Sequence, residues 1–477
     1  MGFLKTIAKT VIYVGVLLVA ITFIPGIPPD IKFSEYSIVQ PKSLKNNLAT
    51  NGRLNNAEIL FEGKVVGAES FASYNGELYT GAHGGYVLRI AGDKLVPVVK
   101  FGKECDGLWE EAKCGRPLGL KFDKKGTLYV CDAYYGIFKV DVKSGKYERI
   151  VNSKEPIEGK VPMITNSLDI ASNGDIYWTD SSTDFTLQDG VYTMLANPSG
   201  RLIKYNADTK KNQVLVRDLA FANGVHLSDN EDFVIVMETL ASRIVKYNIK
   251  GPKAGKREIF VEGLPGMPDN VHSDNNGGFL VSLVIPIDSE NPELSQILIP
   301  HPYIRRLATR LLYLLEAPFK CLQTYYPNYY ADRIVHFIGS FQAMEFMFKK
   351  IVTVLRIDQN GQIVSAAYNT DEKISGISSA FVHNRNLWLG SPWLNYIARV
   401  PLNQAFPDLK EKIKTQNTEQ VEKPKEKSSP TTTKQPEPTT TTQKPVSETK
   451  PSKKSDSKAS AEKSKPSHNN VKRSTKN

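Results

Sequence analysis

The residues best suited to chemistry in this sequence are oxygen-bearing side chains that recur at one position of a repeated pattern. A turn beside short aromatic or β-branched strands occurs six times, with turn residues Gly76, Gly126, Gly174, Glu231, Gly277 and Arg385. The first five are 50, 48, 57 and 46 residues apart, and the sixth follows after 108. Seven or eight residues before each turn stand, in order, Glu69, Leu118, Asn166, Asn223, Asn270 and Ser378. Four of these six positions carry a carboxylate or amide oxygen, and Asp269 adds a carboxylate beside Asn270.

This set of side chains has the composition of a calcium site. Calcium is a hard cation that takes six to eight oxygen ligands, whereas zinc or iron would favour His or Cys, which occupy none of these positions. Glu69 and Asp269 would balance the charge of the ion, and Asn166, Asn223 and Asn270 would complete the shell. The alternative is that each Asn serves a local turn and Glu69 is a solvated charge, which does not account for the shared offset. The sequence therefore predicts a Ca²⁺ site.

A calcium ion with open positions can polarise a carbonyl oxygen, so the site permits hydrolysis of an ester or lactone. His272 lies two residues after Asn270 on the same predicted strand face, and we expect it to act as the general base. A satisfied channel-lining histidine is the alternative for His272, and a purely structural ion is the alternative for the metal. His226, Leu118 and Ser378 are also expected to line the channel.

The repeat itself predicts the scaffold. A period near 50 residues with about four short strands per unit is typical of a β-propeller, in which the innermost strands converge on a central channel. A long β-sandwich would not repeat at this spacing. We therefore predict an all-β fold, a six-bladed propeller over residues 57–408, with a helical insertion at 287–350.

The N-terminus predicts a membrane anchor. Lys5 and Lys9 precede an apolar run at residues 11–27, near the lower length limit for a spanning helix. A cleaved signal peptide is the rival, but no A-x-A-like site follows the run. The positive-inside rule then predicts a single-pass type II protein with a lumenal or extracellular propeller, at the plasma membrane or endoplasmic reticulum. The predicted segments before the propeller are a cytoplasmic N-terminus, a signal anchor and a linker: residues 1–9, 10–28 and 29–56.

The insertion and the tail have distinct compositions. In the insertion, Arg305, Arg306 and Arg310 fall on one side of a helical pattern and leucines on the other, as in a helix lying on a membrane or one capping a scaffold. Residues 409–477 are rich in Lys, Ser, Thr and Pro, which predicts a disordered tail, either O-glycosylated and mucin-like or bare.

Charge and cysteines narrow the partners and the compartment. Residues 411–477 hold 16 Lys and Arg against 8 Asp and Glu, so the net charge of +11 leaves about +3 for the rest of the chain. A nearly neutral folded part offers no groove for nucleic acid. Cys105 and Cys114 share a short loop and are expected to form a disulfide, with two free thiols as the alternative.

Several phrases occur in the order found in a known family: CGRPLGL, VCDAYYGIFKV, ITNSLDI, FANGVHLS and PGMPDNV. Over residues 57–408 the chain resembles the strictosidine synthase-like family, in the branch of adipocyte plasma membrane-associated protein and hemomucin. The resemblance extends distantly to paraoxonases and related calcium-dependent lactonases, and it implies that the five predicted ligands match theirs.

The same resemblance implies what is missing. The paraoxonase histidine dyad falls at Leu118 and Ala133, a second calcium ligand falls at Ser167, and the strictosidine synthase glutamate falls near Ser378. Amine–aldehyde condensation is therefore not expected. Two hypotheses remain. The first is a calcium-dependent arylesterase or lactonase acting on small esters, and the second is a non-enzymatic surface protein with carbohydrate or cell-surface ligands.

Overall fold

The computed structural model describes residues 2–288, 294–342 and 350–409, in which 24 strands build six four-stranded antiparallel sheets. The strand that comes first in the sequence is β1 (Glu58–Leu60). The first sheet contains β2 (Phe71–Tyr74), β3 (Glu77–Ala82), β4 (Tyr86–Ala91) and β5 (Lys94–Lys100). The second contains β6 (Pro117–Phe122), β7 (Leu128–Asp132), β8 (Gly136–Val140) and β9 (Tyr147–Asn152). The third contains β10 (Thr165–Ile170), β11 (Ile176–Asp180), β12 (Gly200–Tyr205) and β13 (Asn212–Leu219).

The remaining sheets follow the same plan. The fourth contains β14 (Ala222–Leu227), β15 (Phe233–Glu238), β16 (Arg243–Asn248) and β17 (Arg257–Val261). The fifth contains β18 (Gly266–Ser273), β19 (Phe279–Pro286), β20 (Thr353–Ile357) and β21 (Ile363–Tyr368). The sixth joins β22 (Ser379–His383), β23 (Asn386–Gly390) and β24 (Ile397–Pro401) to β1.

The sheets are arranged in a closed ring, as in a β-propeller. The first strand of each sheet contacts the first strand of the next, from β2 through β6, β10, β14 and β18 to β22, which contacts β2 again. The sixth sheet is completed out of sequence order, because β1 forms an antiparallel hydrogen-bonded pair with β24, in which Glu58 faces Arg399. Their side chains form an ion pair at 2.7 Å. All-β architecture with a central ring of strands is thus observed.

The hydrophobic core lies between neighbouring sheets. Six apolar clusters each fill the space between two adjacent sheets, and a seventh lies at one end of the ring. Trp178, the largest fully buried side chain, belongs to the cluster between the second and third sheets, and its Nε1 donates to Asn212 Oδ1 at 3.1 Å. Because the core is divided in this way, the first strands are free to turn polar side chains toward the centre of the ring.

Seven α-helices in the described residues lie outside the sheets. They are α1 (Gly2–Phe23), α2 (Glu111–Cys114), α3 (Gly190–Leu195), α4 (Leu294–Leu298), α5 (Pro302–Tyr325), α6 (Tyr329–Gly339) and α7 (Leu402–Ala405). Three of them, α4 to α6, are in the insertion. Among the described residues α1 alone is long and apolar enough to cross a membrane. It begins before the anchor predicted at 10–28. It also ends before the predicted boundary, because Pro25 and Gly26 do not continue the helix. The predicted tail at 409–477 lies outside the described residues except for Leu409.

Candidate functional site

Irregularities in the first strands set the direction of the candidate ligands. The pairing register shifts between Thr165 and Leu168 in β10, between Ala222 and Val225 in β14, and between Pro268 and Val271 in β18. Each shifted stretch contains a predicted ligand, and such bulges redirect side chains next to functional sites. Neighbouring first strands also approach closely here.

Glycine permits this close approach. A Cβ on Gly224 would lie 2.6 Å from the carbonyl oxygen of Asp269, and one on Gly119 would lie 2.7 Å from that of Asn166. Only a residue without a side chain fits at such distances. In the sequence, the candidate ligand Asn223 is therefore followed directly by Gly224, whose missing side chain leaves room for the backbone of β18.

Four predicted ligands share the lining of one cavity of about 110 Å³, namely Glu69, Asn166, Asn223 and Asp269. All four are buried, and Glu69 Oε2, Asn166 Oδ1 and Asn223 Oδ1 have no hydrogen-bond partner within the described part of the chain. Asn270 is buried beside them, and its Nδ2 donates to Asp269 Oδ1 at 3.5 Å. The structure therefore brings all five side chains together at one end of the ring.

The charges in this cluster are poorly compensated. Burial raises the pKa of Glu69 to about 7, although Arg116 opposes the change. Burial, and after it the charge of Glu69, raise the pKa of Asp269 well above its ordinary value. Two buried carboxyl groups together with acceptor oxygens that lack donors fit a divalent cation, and a donor set made only of oxygen matches the preference of calcium.

A hydroxyl group fixes one of the amide ligands. Ser181 Oγ accepts a hydrogen bond from Asn166 Nδ2 at 3.0 Å and donates to the carbonyl oxygen of Ala222 at 2.8 Å. With its nitrogen engaged, the Asn166 amide presents its oxygen to the cavity. Ser181 thus links the third and fourth sheets and holds the orientation of a candidate ligand, as outer-shell partners of metal sites do.

Arg116 is a cavity residue that the sequence reasoning missed. Its side chain is 1% exposed, and Nη2 lies 3.8 Å from Glu69 Oε2 while Nε lies 3.5 Å from Glu111 Oε1. Nη2 also donates to the carbonyl oxygen of Pro392. Nε and Nη1 have no hydrogen-bond partner among the described residues. The repeat offset selects Leu118, two residues later in the chain, so counting by blade gave no signal for Arg116.

The walls of the cavity are mainly apolar. They include Leu118, as expected, with Leu187, Met194, Phe221, Met267, Val284 and Ile285. The insertion supplies a further part of the wall through His336, Ser340, Phe341 and Gln342. His336 Nε2 lies 3.2 Å from Gln342 Oε1, while its Nδ1 is buried without a partner within the described residues. No residue in the blade repeat corresponds to His336, so the repeat pattern could not reveal it.

One predicted channel residue, His226, lies in a separate polar cluster. His226 Nδ1 is 3.3 Å from Asp169 Oδ2, and Lys121 Nζ is 2.8 Å from Asp169 Oδ1. Burial lowers the pKa of His226 below its ordinary value, with Lys121 contributing in the same direction. This cluster follows the ligands along the first strands and does not line the cavity.

His272 also lies away from the cavity lining. Its Nε2 is 2.9 Å from Ser379 Oγ, its ring packs against Phe381 at 5.0 Å, and burial lowers its pKa to about 3. The register shift in β18 interrupts the two-residue alternation on which its expected role as general base depended. The geometry gives that role no support. Ser378 is likewise outside the lining, and its Oγ is 3.5 Å from the carbonyl oxygen of Glu69.

Cys105 and Cys114 form a disulfide in the structure. His83 lies close to both sulfur atoms, but sulfurs joined to each other do not form a thiolate metal site. The candidate metal centre is therefore the oxygen cluster alone.

Comparisons with known proteins agree with the resemblance in the sequence. A strictosidine synthase family model matches residues 166–252, and a model for the N-terminal part of strictosidine synthase-like proteins matches residues 47–90. Hemomucin of Drosophila melanogaster, an adipocyte plasma membrane-associated protein, is 42% identical over 407 residues, which cover 84% of this chain and 70% of hemomucin. Adipocyte plasma membrane-associated protein of Gallus gallus is 32% identical over 372 residues, 77% of this chain and 83% of its own.

Among solved structures, a gluconolactonase of Xanthomonas campestris aligns with a TM-score of 0.46 and 15% identity, covering 79% of this chain and 99% of its own. The two relatives, by contrast, are similar over most of their length and of this chain. The chain belongs to the strictosidine synthase-like family, together with hemomucin and the adipocyte plasma membrane-associated proteins.

Proposed function

We propose that the six sheets are the blades of one propeller and that its cavity is a calcium-dependent active site for carboxylic esters or lactones. The observation that carries the proposal is the set of buried oxygens without donors on Glu69, Asn166 and Asn223, beside the second carboxylate of Asp269. These residues and Asn270 would hold the ion. When bound, calcium supplies the electrophile that polarises a carbonyl oxygen.

The chain's own residues have separate roles in this proposal. The apolar walls bind the hydrocarbon part of a substrate and exclude water, which strengthens electrostatic interactions in the cavity. Arg116 Nη1 has no hydrogen-bond partner among the described residues, and its N–H groups suit the carboxylate that ester hydrolysis releases. His336, in the part of the lining that the insertion supplies, has an Nδ1 without a partner among the described residues, and this atom suits proton transfer.

One observation favours a second candidate, a surface protein that binds without catalysis. Arg116 already brings a positive charge to 3.8 Å from Glu69, so part of the negative charge is neutralised by the protein itself. In addition, Leu118 and Ala133, where the distant resemblance places a histidine dyad, belong to an apolar cluster. The propeller would then present carbohydrate or cell-surface ligands with a structural ion in its channel.

The proposed location follows from α1. We infer that α1 is a signal anchor in a single-pass type II topology, because Lys5 and Lys9 lie at its N-terminal end. The propeller would then be lumenal or extracellular, at the plasma membrane or endoplasmic reticulum. A disulfide between Cys105 and Cys114 suits such an oxidising compartment.

Hydrolysis of phenyl acetate by the full-length chain in detergent tests the proposal. We expect activity that chelation abolishes and added calcium restores, and that Asn223→Ala and Asp269→Ala each remove. Asn248→Ala is the matched control, since Asn248 is a buried amide in the same sheet but outside the cavity. Absent activity, or activity indifferent to chelator and to both cavity variants, contradicts the enzymatic role. Calcium that raises the melting temperature without any hydrolysis supports the binding protein.

A further inference from the structure

Helix α5 buries charged side chains and exposes apolar ones. Its charged residues Arg305 and Glu316 are 0% exposed. Its apolar residues Ile304, Leu315 and Leu322 are 49%, 60% and 43% exposed. Surface helices in water show the reverse arrangement, with the apolar stripe toward the core.

The buried charges have specific partners, so the orientation of α5 is determined by the protein. Arg305 Nη1 donates to the carbonyl oxygens of Leu195 and Ala196 at 3.0 and 3.1 Å. Glu316 Oε2 accepts a hydrogen bond from the Tyr192 hydroxyl at 2.6 Å. Both contacts lie on the α3 side, toward the ring of sheets. The polar side of α5 is therefore committed to the propeller, and the apolar side faces away from it.

Helix α5 also joins the end of the membrane-spanning candidate. Arg310 Nη1 donates to the carbonyl oxygens of Ile21, Thr22 and Ile24 at 2.8, 3.0 and 2.9 Å, which are at the C-terminal end of α1. The rings of Phe23 and Tyr303 are 5.4 Å apart. The boundary at which α1 leaves a bilayer is therefore also the position of α5.

Exposed aromatic side chains extend this surface. Tyr325, Tyr326 and Tyr330 are 74%, 74% and 75% exposed, and Phe337 on α6 is 66% exposed. Tyrosine is enriched where proteins meet the membrane–water interface, because the ring is apolar and the hydroxyl is polar.

We propose that the segment made of α5, α6 and the residues that follow as far as Gln342, here called the cap, places its outward face in the interfacial layer of the bilayer that α1 crosses. Continuity with α1 selects lipid over a protein partner, since the same helix that enters the bilayer is hydrogen-bonded to the cap. The cap also supplies His336, Ser340 and Phe341 to the cavity. One side of the cavity is thus built on the segment that contacts lipid.

Cys321 provides a probe in the full-length chain. It is an exposed free thiol on α5, whereas Cys131 is buried and Cys105 and Cys114 are joined. An environment-sensitive fluorophore on Cys321 is compared in phosphatidylcholine nanodiscs with and without brominated acyl chains. We expect an emission about twofold lower with brominated lipid, as for a helix that enters the headgroup–acyl boundary.

A matched control carries the label elsewhere. In Cys321→Ser/Lys125→Cys the label is in the turn between β6 and β7, at the opposite end of β6 from the cavity residue Leu118, and quenching should be absent. The triple variant Leu315→Glu/Leu322→Glu/Tyr326→Glu changes exposed positions only, so it should fold, as circular dichroism can verify, and lose the quenching of Cys321. Equal emission in both lipids overturns the proposal, as does protection of Cys321 by contact between two copies, detected as a Cys321–Cys321 cross-link.

Discussion

Replacing Ser181 by alanine would test how the site is held together. The hydroxyl accepts the hydrogen bond of the Asn166 amide nitrogen and at the same time donates to the carbonyl oxygen of Ala222 in the next sheet. In Ser181→Ala the Asn166 amide can rotate, so its oxygen no longer has a preferred direction into the cavity. The substitution leaves all five proposed ligands in place.

The expected magnitudes follow from these two bonds. Each buried polar group left without a partner costs about 1–3 kcal/mol of unfolding free energy. Loss of an outer-shell partner typically weakens metal binding about 10- to 100-fold, which corresponds to about 1.4–2.8 kcal/mol. We therefore expect Ser181→Ala to lower both the unfolding free energy and the affinity for calcium. The loss of calcium affinity should exceed that of a control variant at another buried serine.

Isothermal titration of calcium into the full-length chain and urea unfolding measure the two effects separately. Ser282→Ala is the control, because Ser282 is equally buried and its hydroxyl has no hydrogen-bond partner in the described ranges. It should leave calcium affinity unchanged. Unaltered affinity in Ser181→Ala would refute the bracing role, and calcium binding that is undetectable in the unmodified chain would refute the metal site itself.

Three further predictions concern stability. Arg201→Met should lower the unfolding free energy by about 3–5 kcal/mol in urea titrations, because it leaves the fully buried Asp180 without the guanidinium that contacts it at 2.7 and 2.9 Å. The double variant Asp180→Leu/Arg201→Met should recover most of this loss. A double variant that is no more stable than Arg201→Met would contradict this account. Burial lowers the pKa of His226, so the unfolded chain takes up its proton first as the pH falls below 6.5, and stability should drop by up to about 1.4 kcal/mol per pH unit. His226→Gln should make that curve shallower, and an identical curve would count against it. Chelation should lower the melting temperature, because a ligand at 100 times its Kd stabilises by about 2.7 kcal/mol; Asn166→Ala should remove the difference.

Much of the scaffold is readable from the sequence because each blade repeats the same local physics. Alternating strands and turn residues recur at a near-constant spacing, and Glu69, Asn166, Asn223 and Asn270 fall at one offset. Equivalent positions on equivalent strands meet at the centre of a ring. The count of residues before each turn was therefore enough to predict that these distant candidate ligands lie close together. The resemblance to the strictosidine synthase-like family is confirmed by the relatives found.

What the sequence could not supply were contacts made outside the repeat. His336 reaches the cavity from an insertion, and Arg116 lies in a loop whose path depends on the sheets around it. The expected role of His272 relied on strict alternation, which the bulge in β18 interrupts. The outward direction of the apolar face of α5 depends on partners such as Tyr192, which is 124 residues away in the chain.

The pairing of β1 with β24 affects the order in which the protein can fold. Glu58–Leu60 is synthesised soon after α1, but its partner strand Ile397–Pro401 emerges more than 330 residues later. Until then β1 has no partner in the sixth sheet, because β24 lies between β1 and β23, and the unpaired edges of these two strands are of the kind that recruit other chains. Contacts this distant in sequence form slowly. A chain that stops before β24 therefore leaves β1 and β23 without the strand that joins them, and the sixth sheet can be completed only when β24 has been made.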